Sequence, residues 1–296
     1  MNQPAAQSDT GPLRSDDVAF AFVQELARGL SRREIELPSF PDVAIRVRRV
    51  LADEDVSAKD VVRVVGSEPA LAARMMQMAN SAALGYIGRP LADLRAAITR
   101  IGFNLVRSAA ISFAMSQLRR TEELKPLGPS LQAHWERSSL VAAFSHVIAR
   151  RFTNVNADTA LLAGLLHGVG KLYIMTRAIK HPALFADQIA FNQIERDWHA
   201  SIAKALLESW GIPEDIVNAV EGHEDIDREI EGPPDLTDVL TVGSLLATFH
   251  GFPETLELNL QGVRACQRMR LDRKAFETLT TDCIKEVNAL RQTLGL

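Results

Sequence analysis

The residues of this chain that could do chemistry gather in one stretch. Ala160-Leu161-Leu162-Ala163-Gly164-Leu165-Leu166 is an apolar helical run that reaches His167 and then opens into Gly168-Val169-Gly170-Lys171. An imidazole against an apolar wall is either a metal ligand or a hydrogen-bonded core group, and ligation needs convergent partners. Spacing around His167 supplies none, which favours the core reading there. The Gly-x-Gly-Lys turn lacks the Gly-x-x-x-x-Gly-Lys-Ser/Thr spacing of a phosphate loop. No Gly-x-Ser-x-Gly elbow occurs, and neither Cys266 nor Cys283 lies in a motif that marks a nucleophile. No catalytic residue follows from these motifs.

Composition narrows the classes. The 296 residues are 47% apolar and 24% charged, the balance of a globular chain with a sizeable core. A net charge of -4 gives no support to nucleic-acid binding, and the pairs Arg32-Arg33, Arg119-Arg120 and Arg150-Arg151 are scattered. Two cysteines are too few for a disulfide framework, which points to a reducing interior. No apolar run reaches about 18 uninterrupted residues, and Met1 to Thr10 lacks an apolar core. The expectation is a soluble cytoplasmic protein without a membrane span.

The elements that must hold His167 read as helices throughout. Val18, Phe22, Leu26 and Leu30 recur every four residues; Leu37-Pro38-Ser39-Phe40-Pro41 then blocks continuation. Val43, Val47, Val50 and Leu51 mark a second helix. Val61, Val62, Val64 and Val65 have strand propensity, but Ser57 with Asp60 is a cap and Gly66 a stop, so a short helix is expected. Glu68-Pro69 starts the next, whose Leu71, Met75, Met78 and Ala79 are core positions rather than a docking groove. Leu94, Ile98 and Ile101 form a helix closed by Gly102, and Asn104 can cap another with Val106, Ala109, Ala110 and Phe113 inward. Thr121 to Pro129 reads as a join. Ser130 begins a long helix through Trp135 and Ile148, and Asp197 or Trp198 begins one that ends at Trp210-Gly211. Glu221 to Glu231 reads as an exposed acidic loop, Leu236 to His250 as a helix, and Pro253 to Leu296 as two or three short ones.

Several of these stretches, in this order, resemble the HDOD family, the "HD-related output domain" of bacterial signalling proteins. They are Leu37 to Pro41, Glu68-Pro69-Ala70-Leu71, Ala79-Asn80-Ser81 and Ile98-x-x-Ile101-Gly102, while the His167 run resembles the central motif of the HD superfamily of metal-dependent phosphohydrolases, with Gly168 at its aspartate position. The resemblance implies an all-α fold, a helical N-terminal half packed on a degenerate HD-domain-like half. The expected divisions are a mobile N-terminus (1–15), an N-terminal half (16–125, family-like from about 37), an HD-like half (126–252) and a C-terminal extension (253–296).

An HD-type phosphohydrolase needs a divalent metal that activates water and clamps phosphate, held by about four imidazole and carboxylate ligands. Carried over by motif, the first histidine position is Arg137, the His-Asp pair is His167-Gly168, two further histidine positions match His199 and His223, and the last aspartate falls near Ser244. Arg, Gly and Ser thus stand at three of the four main positions. A guanidinium about 4 Å from a divalent ion costs several kcal/mol even at an effective dielectric near 20. His134 lies one turn before Arg137, so it could reach the same region as a substitute ligand. The resemblance and this count imply no metal, no cofactor and a signalling module that works by protein–protein interaction. Arg137, His167, Gly168, Lys171, His199, His223 and Ser244 would line a remnant pocket. A residual phosphohydrolase, or a sensor that binds a nucleotide or other anion without turnover, is the alternative.

Overall fold

The computed structural model describes residues 15–35, 37, 42–51, 53, 56–84, 86, 88–118, 120–249, 260, 262–282 and 284–293. The expected mobile segment before Ser15, the hinge residues Pro38 to Pro41, and Cys283 lie outside them. The described residues are predominantly helical, and among them no strand occurs.

The N-terminal elements are α1 (Ser15–Arg32), α2 (Asp42–Leu51), α3 (Ala58–Val65), α4 (Pro69–Ala79) and α5 (Leu94–Leu118). The valine-rich run is the helix α3, because its cap decides locally. Ser57 Oγ accepts from Asp60 N, the Asp60 carboxylate accepts from Ser57 N, and Val61 and Val65 are buried. Within α5, Gly102 adopts φ 75°, ψ 164°, a conformation that favours glycine and kinks the helix. Asn104 is not the expected side-chain cap: its carboxamide accepts from Arg107 at 3.2 Å and donates to Thr159 at 3.1 Å, tying two helices.

The second set is α6 (Gly128–Phe152), α7 (Ala157–Leu166), α8 (Val169–Ala178), α9 (Gln188–Ser209), α10 (Glu214–Gly222) and α11 (Leu236–Phe249). The join expected over 121–129 is a short 3-10 helix, Glu122–Leu127, that buries Leu124 and Leu127. Helix α9 starts earlier than Asp197: Asp187 accepts from Ala190 N at 3.0 Å, and Phe191 and Ile194 extend the apolar face. The stretch Ala157–Ala178 is long and apolar enough to cross a membrane, but α7 and α8 split it and 89% of its apolar window is buried inside the molecule.

Two apolar cores result, and they do not follow the expected division. The smaller holds Val47, Val61, Leu71, Met75 and Ile98 with Leu161 and Leu165 of α7. The larger holds the other second-set helices together with Leu162 and Leu166 on the other face of α7 and Ile111, Met115 and Leu118 at the end of α5. Phe22 and Leu26 of α1 belong to the larger core. The Phe22 ring lies tilted against His181, centroids 5.2 Å apart, and His181 Nε2 lies 3.1 Å from Glu25. Part of the expected 16–125 half therefore folds onto the other half, the apolar stripe of α1 packing against α9.

The C-terminal helices α12 (Arg264–Arg268), α13 (Arg273–Glu277) and α14 (Ile284–Thr293) are built into the same core through Cys266, Phe276, Val287 and Leu290. Arg268 grips the buried Asp238 carboxylate at 2.9 and 2.5 Å. On α14, Glu286 accepts from Arg150 and Arg151 at 3.1 and 2.6 Å, and Thr293 Oγ1 meets Ser81 Oγ at 2.8 Å. The extension thus bridges both sets of helices.

Candidate functional site

The end of α7 delivers His167 and the start of α8 delivers Lys171; α6, α9, the end of α10 and α11 close around them. This convergence depends on one close backbone approach. A β-carbon on Gly170 would lie 1.9 Å from the carbonyl oxygen of His199, so α8 meets α9 only with glycine there.

His167 and His223 share one anchoring device. Nδ1 of His167 donates to Gly164 O at 2.7 Å, and Nδ1 of His223 donates to Val220 O at 2.8 Å. Each ring then carries its lone pair on Nε2. The rings meet edge to face at 5.5 Å, and both residues are buried. Nε2 of His223 is buried without a hydrogen-bond partner and lies 4.0 Å from Glu224 Oε1. Burial pushes His223 down to about 4, and His167 is also held well below the usual imidazole range, by burial and then by His223.

Beside them, Glu224 bridges two other expected residues. It accepts from Lys171 Nζ at 2.9 Å and lies 2.9 Å from His199 Nε2. Its hydrogen bond with His199 is the main cause holding this carboxyl far below its usual range. Burial raises the Glu195 carboxyl nearby, one turn before His199.

Arg137 faces the last expected residue. Its guanidinium donates to Ser244 Oγ at 3.1 Å and to Thr248 Oγ1 at 2.9 Å. Neither contact is a carboxylate, and Arg137 remains exposed. His134, on the same helix, lies against Gly168, and burial pushes its ring down to about 4, with Lys171 and Arg137 adding to the effect. The two cations therefore flank one imidazole.

Arg137 and Ser244 are thus bonded, His167 and His223 packed together, and Lys171 and His199 joined through Glu224. Glu224 and Thr248 were missed. Glu224 lies in the stretch expected to be an exposed acidic loop and is itself exposed; α10 runs to Gly222, only His223 after it is buried, and the Glu224 carboxylate reaches His199 and Lys171. The sequence signal was its adjacency to His223. Thr248 was legible only as one helical turn after Ser244.

The donor set does not fit a divalent metal. Among the described residues, no group of three or more His, Cys, Asp or Glu is arranged to hold one. Glu224 is already neutralised by Lys171, residue 168 offers no carboxylate, and Arg137 brings positive charge.

The HDOD domain family matches residues 37–226 of this chain. A Shewanella amazonensis protein described provisionally as a metal-dependent phosphohydrolase is similar at 24% identity and a TM-score of 0.68, over 94% of this chain and 99% of that one. An HDOD domain protein with unknown function from Geobacter sulfurreducens is similar at 20% identity and a TM-score of 0.60, over 94% and 98%. These likenesses concern the fold. An uncharacterized protein of Treponema pallidum (strain Nichols) is 23% identical over 245 residues, 76% of this chain and 45% of that protein. The chain thus spans less than half the length of that curated relative.

Proposed function

From a chain that belongs to the HDOD domain family, a signalling-type domain related to HD phosphohydrolases, we propose a regulatory module that binds a signalling protein and does not hydrolyse phosphate esters. The observation that carries this reading is the state of Arg137. Arg137 and Ser244, which stand where the first histidine and the last aspartate of an HD enzyme are expected, are bonded to each other, and the guanidinium also donates to Thr248. Hydrolysis by the HD route needs a metal-lowered water pKa, and the expected ligand positions 137, 168 and 244 supply a guanidinium, a glycine and a hydroxyl instead. The module is read as cytoplasmic and as acting without a cofactor. The purified chain, supplied with manganese and then with iron, should leave bis-p-nitrophenyl phosphate intact. Turnover abolished by a chelator and by His167→Ala would restore the residual-phosphohydrolase reading.

A second reading has its own support. Arg137 is exposed and makes no carboxylate hydrogen bond, so its charge suits an anion such as a nucleotide phosphate. Calorimetric titration with mononucleotides and cyclic dinucleotides, on the parent and Arg137→Ala proteins, tests it. Heat that vanishes in the variant supports a sensor; no heat with the parent leaves protein–protein signalling alone.

A further inference from the structure

Gly168 has φ -94° and ψ 7°, a backbone conformation open to any L residue. Conformation therefore does not explain a glycine here. Its surroundings do. A β-carbon on Gly168 would lie 2.6 Å from Cε1, 3.1 Å from Nε2 and 3.5 Å from Nδ1 of His134. The imidazole of His134 fills the space that a side chain at 168 would need. Two residues 34 positions apart on different helices thus share one seat.

That seat matters because of what stands opposite it. His167 and His223 each spend Nδ1 on a backbone carbonyl and keep a lone pair on Nε2, and that of His223 has no partner. Imidazoles oriented in this way are suited to ligation, since the carbonyl fixes both tautomer and ring. The carboxylate beside them, Glu224, 4.0 Å from His223 Nε2, is already tied to Lys171 and His199. We infer that His134 bars a divalent cation from a latent two-histidine half-site by occupying the seat of the residue-168 side chain, with Arg137 as the second barrier. The claim does not depend on whether the module acts through protein contact.

The steric half predicts a reversal of sign. In the parent protein, Gly168→Ala should lower the melting temperature by several degrees, because a ring and a methyl compete for one volume. In a His134→Ala background, the same change should raise it by a degree or more, since the backbone accepts alanine and the unfolded chain loses freedom. A shift of the same sign and size in both backgrounds overturns the shared seat. The metal half uses Co2+ as the probe, read by its visible absorption. The parent and Gly168→Asp proteins should stay colourless with Co2+, and the triple variant His134→Ala/Arg137→His/Gly168→Asp should develop a saturable band. Thermal melts first establish that each variant is folded. A band from the parent or from Gly168→Asp alone, or none from a folded triple variant, overturns the assignment of His134 as the barrier.

Discussion

Nε2 of His199 and Oε2 of Glu224 lie 2.9 Å apart, although 25 residues separate them in the chain. The contact joins the middle of α9 to the residue that follows the buried His223, and Lys171 of α8 completes it from the other side. One carboxylate thereby holds three elements at the mouth of the site. Because Glu224 is about half exposed, the cluster is worth less than its geometry suggests. Glu224→Gln is expected to cost about 1 kcal/mol at pH 7. The carboxyl is held below its ordinary 4.5. Its contribution is therefore fully present above that value and is lost as pH falls further. Urea unfolding at pH 7 and at pH 3.5 should show the difference between parent and variant shrinking; a constant difference contradicts the assignment.

The histidines give a separate acid response, at higher pH. His134 and His223 are held at about 4 in the folded protein against 6.5 ordinarily. The unfolded chain therefore binds more protons between these values, and stability rises with pH across that window. It should be complete above about pH 6.5 and decline toward pH 4, by at most about 3 kcal/mol for each ring. Denaturant midpoints at pH 7.5 and 5.0 check this, and His134→Gln should flatten part of the slope. Equal midpoints at the two pH values would refute it.

Close approach at α8 is the least forgiving feature. Gly170→Ala would place a methyl against the His199 carbonyl, where backbone rather than a flexible side chain must move. The expected loss is about 3 kcal/mol or more, with poor soluble yield. Gly222→Ala is the control, since its β-carbon would meet only Thr237 Cγ2 at 3.5 Å. Comparable melting temperatures for the two variants would show that the α8–α9 contact tolerates opening.

The C-terminal helix should behave as core, not as an appendage. Leu290 is fully buried, so Leu290→Ala should cost about 3 kcal/mol. Glu286→Gln weakens the pairs with the partly exposed Arg150 and Arg151 and should cost about 1 kcal/mol. Chemical unfolding ranks the two. A Leu290→Ala loss below that of Glu286→Gln would mean that α14 is held mainly by charge.

Some features were legible because their causes are local. The cap Ser57/Asp60, the stop at Gly211 and the stripes Leu71/Met75/Met78 and Ile202/Leu206/Trp210 depend on neighbours within about one turn to two turns. The seven expected site residues could be numbered from motif order alone. The packing of α1 against the second core was not legible, since an apolar stripe states that a face is buried and not what covers it.

The sequence by itself determined the all-α class, most of the helix positions (though not the start of α9 at Gln188 or the 3-10 helix Glu122–Leu127) and the absence of the expected carboxylates at Gly168 and Ser244. Tertiary structure alone decided that Glu224 points into the site, that Arg137 bonds hydroxyls rather than a carboxylate, and that His134 sits in the place of a side chain at 168. The physical reason is range. Helical periodicity and capping are set by torsions and hydrogen bonds among neighbouring residues. Which charges meet is set by how helices cross, and here one missing β-carbon at Gly170 decides how close α8 and α9 come.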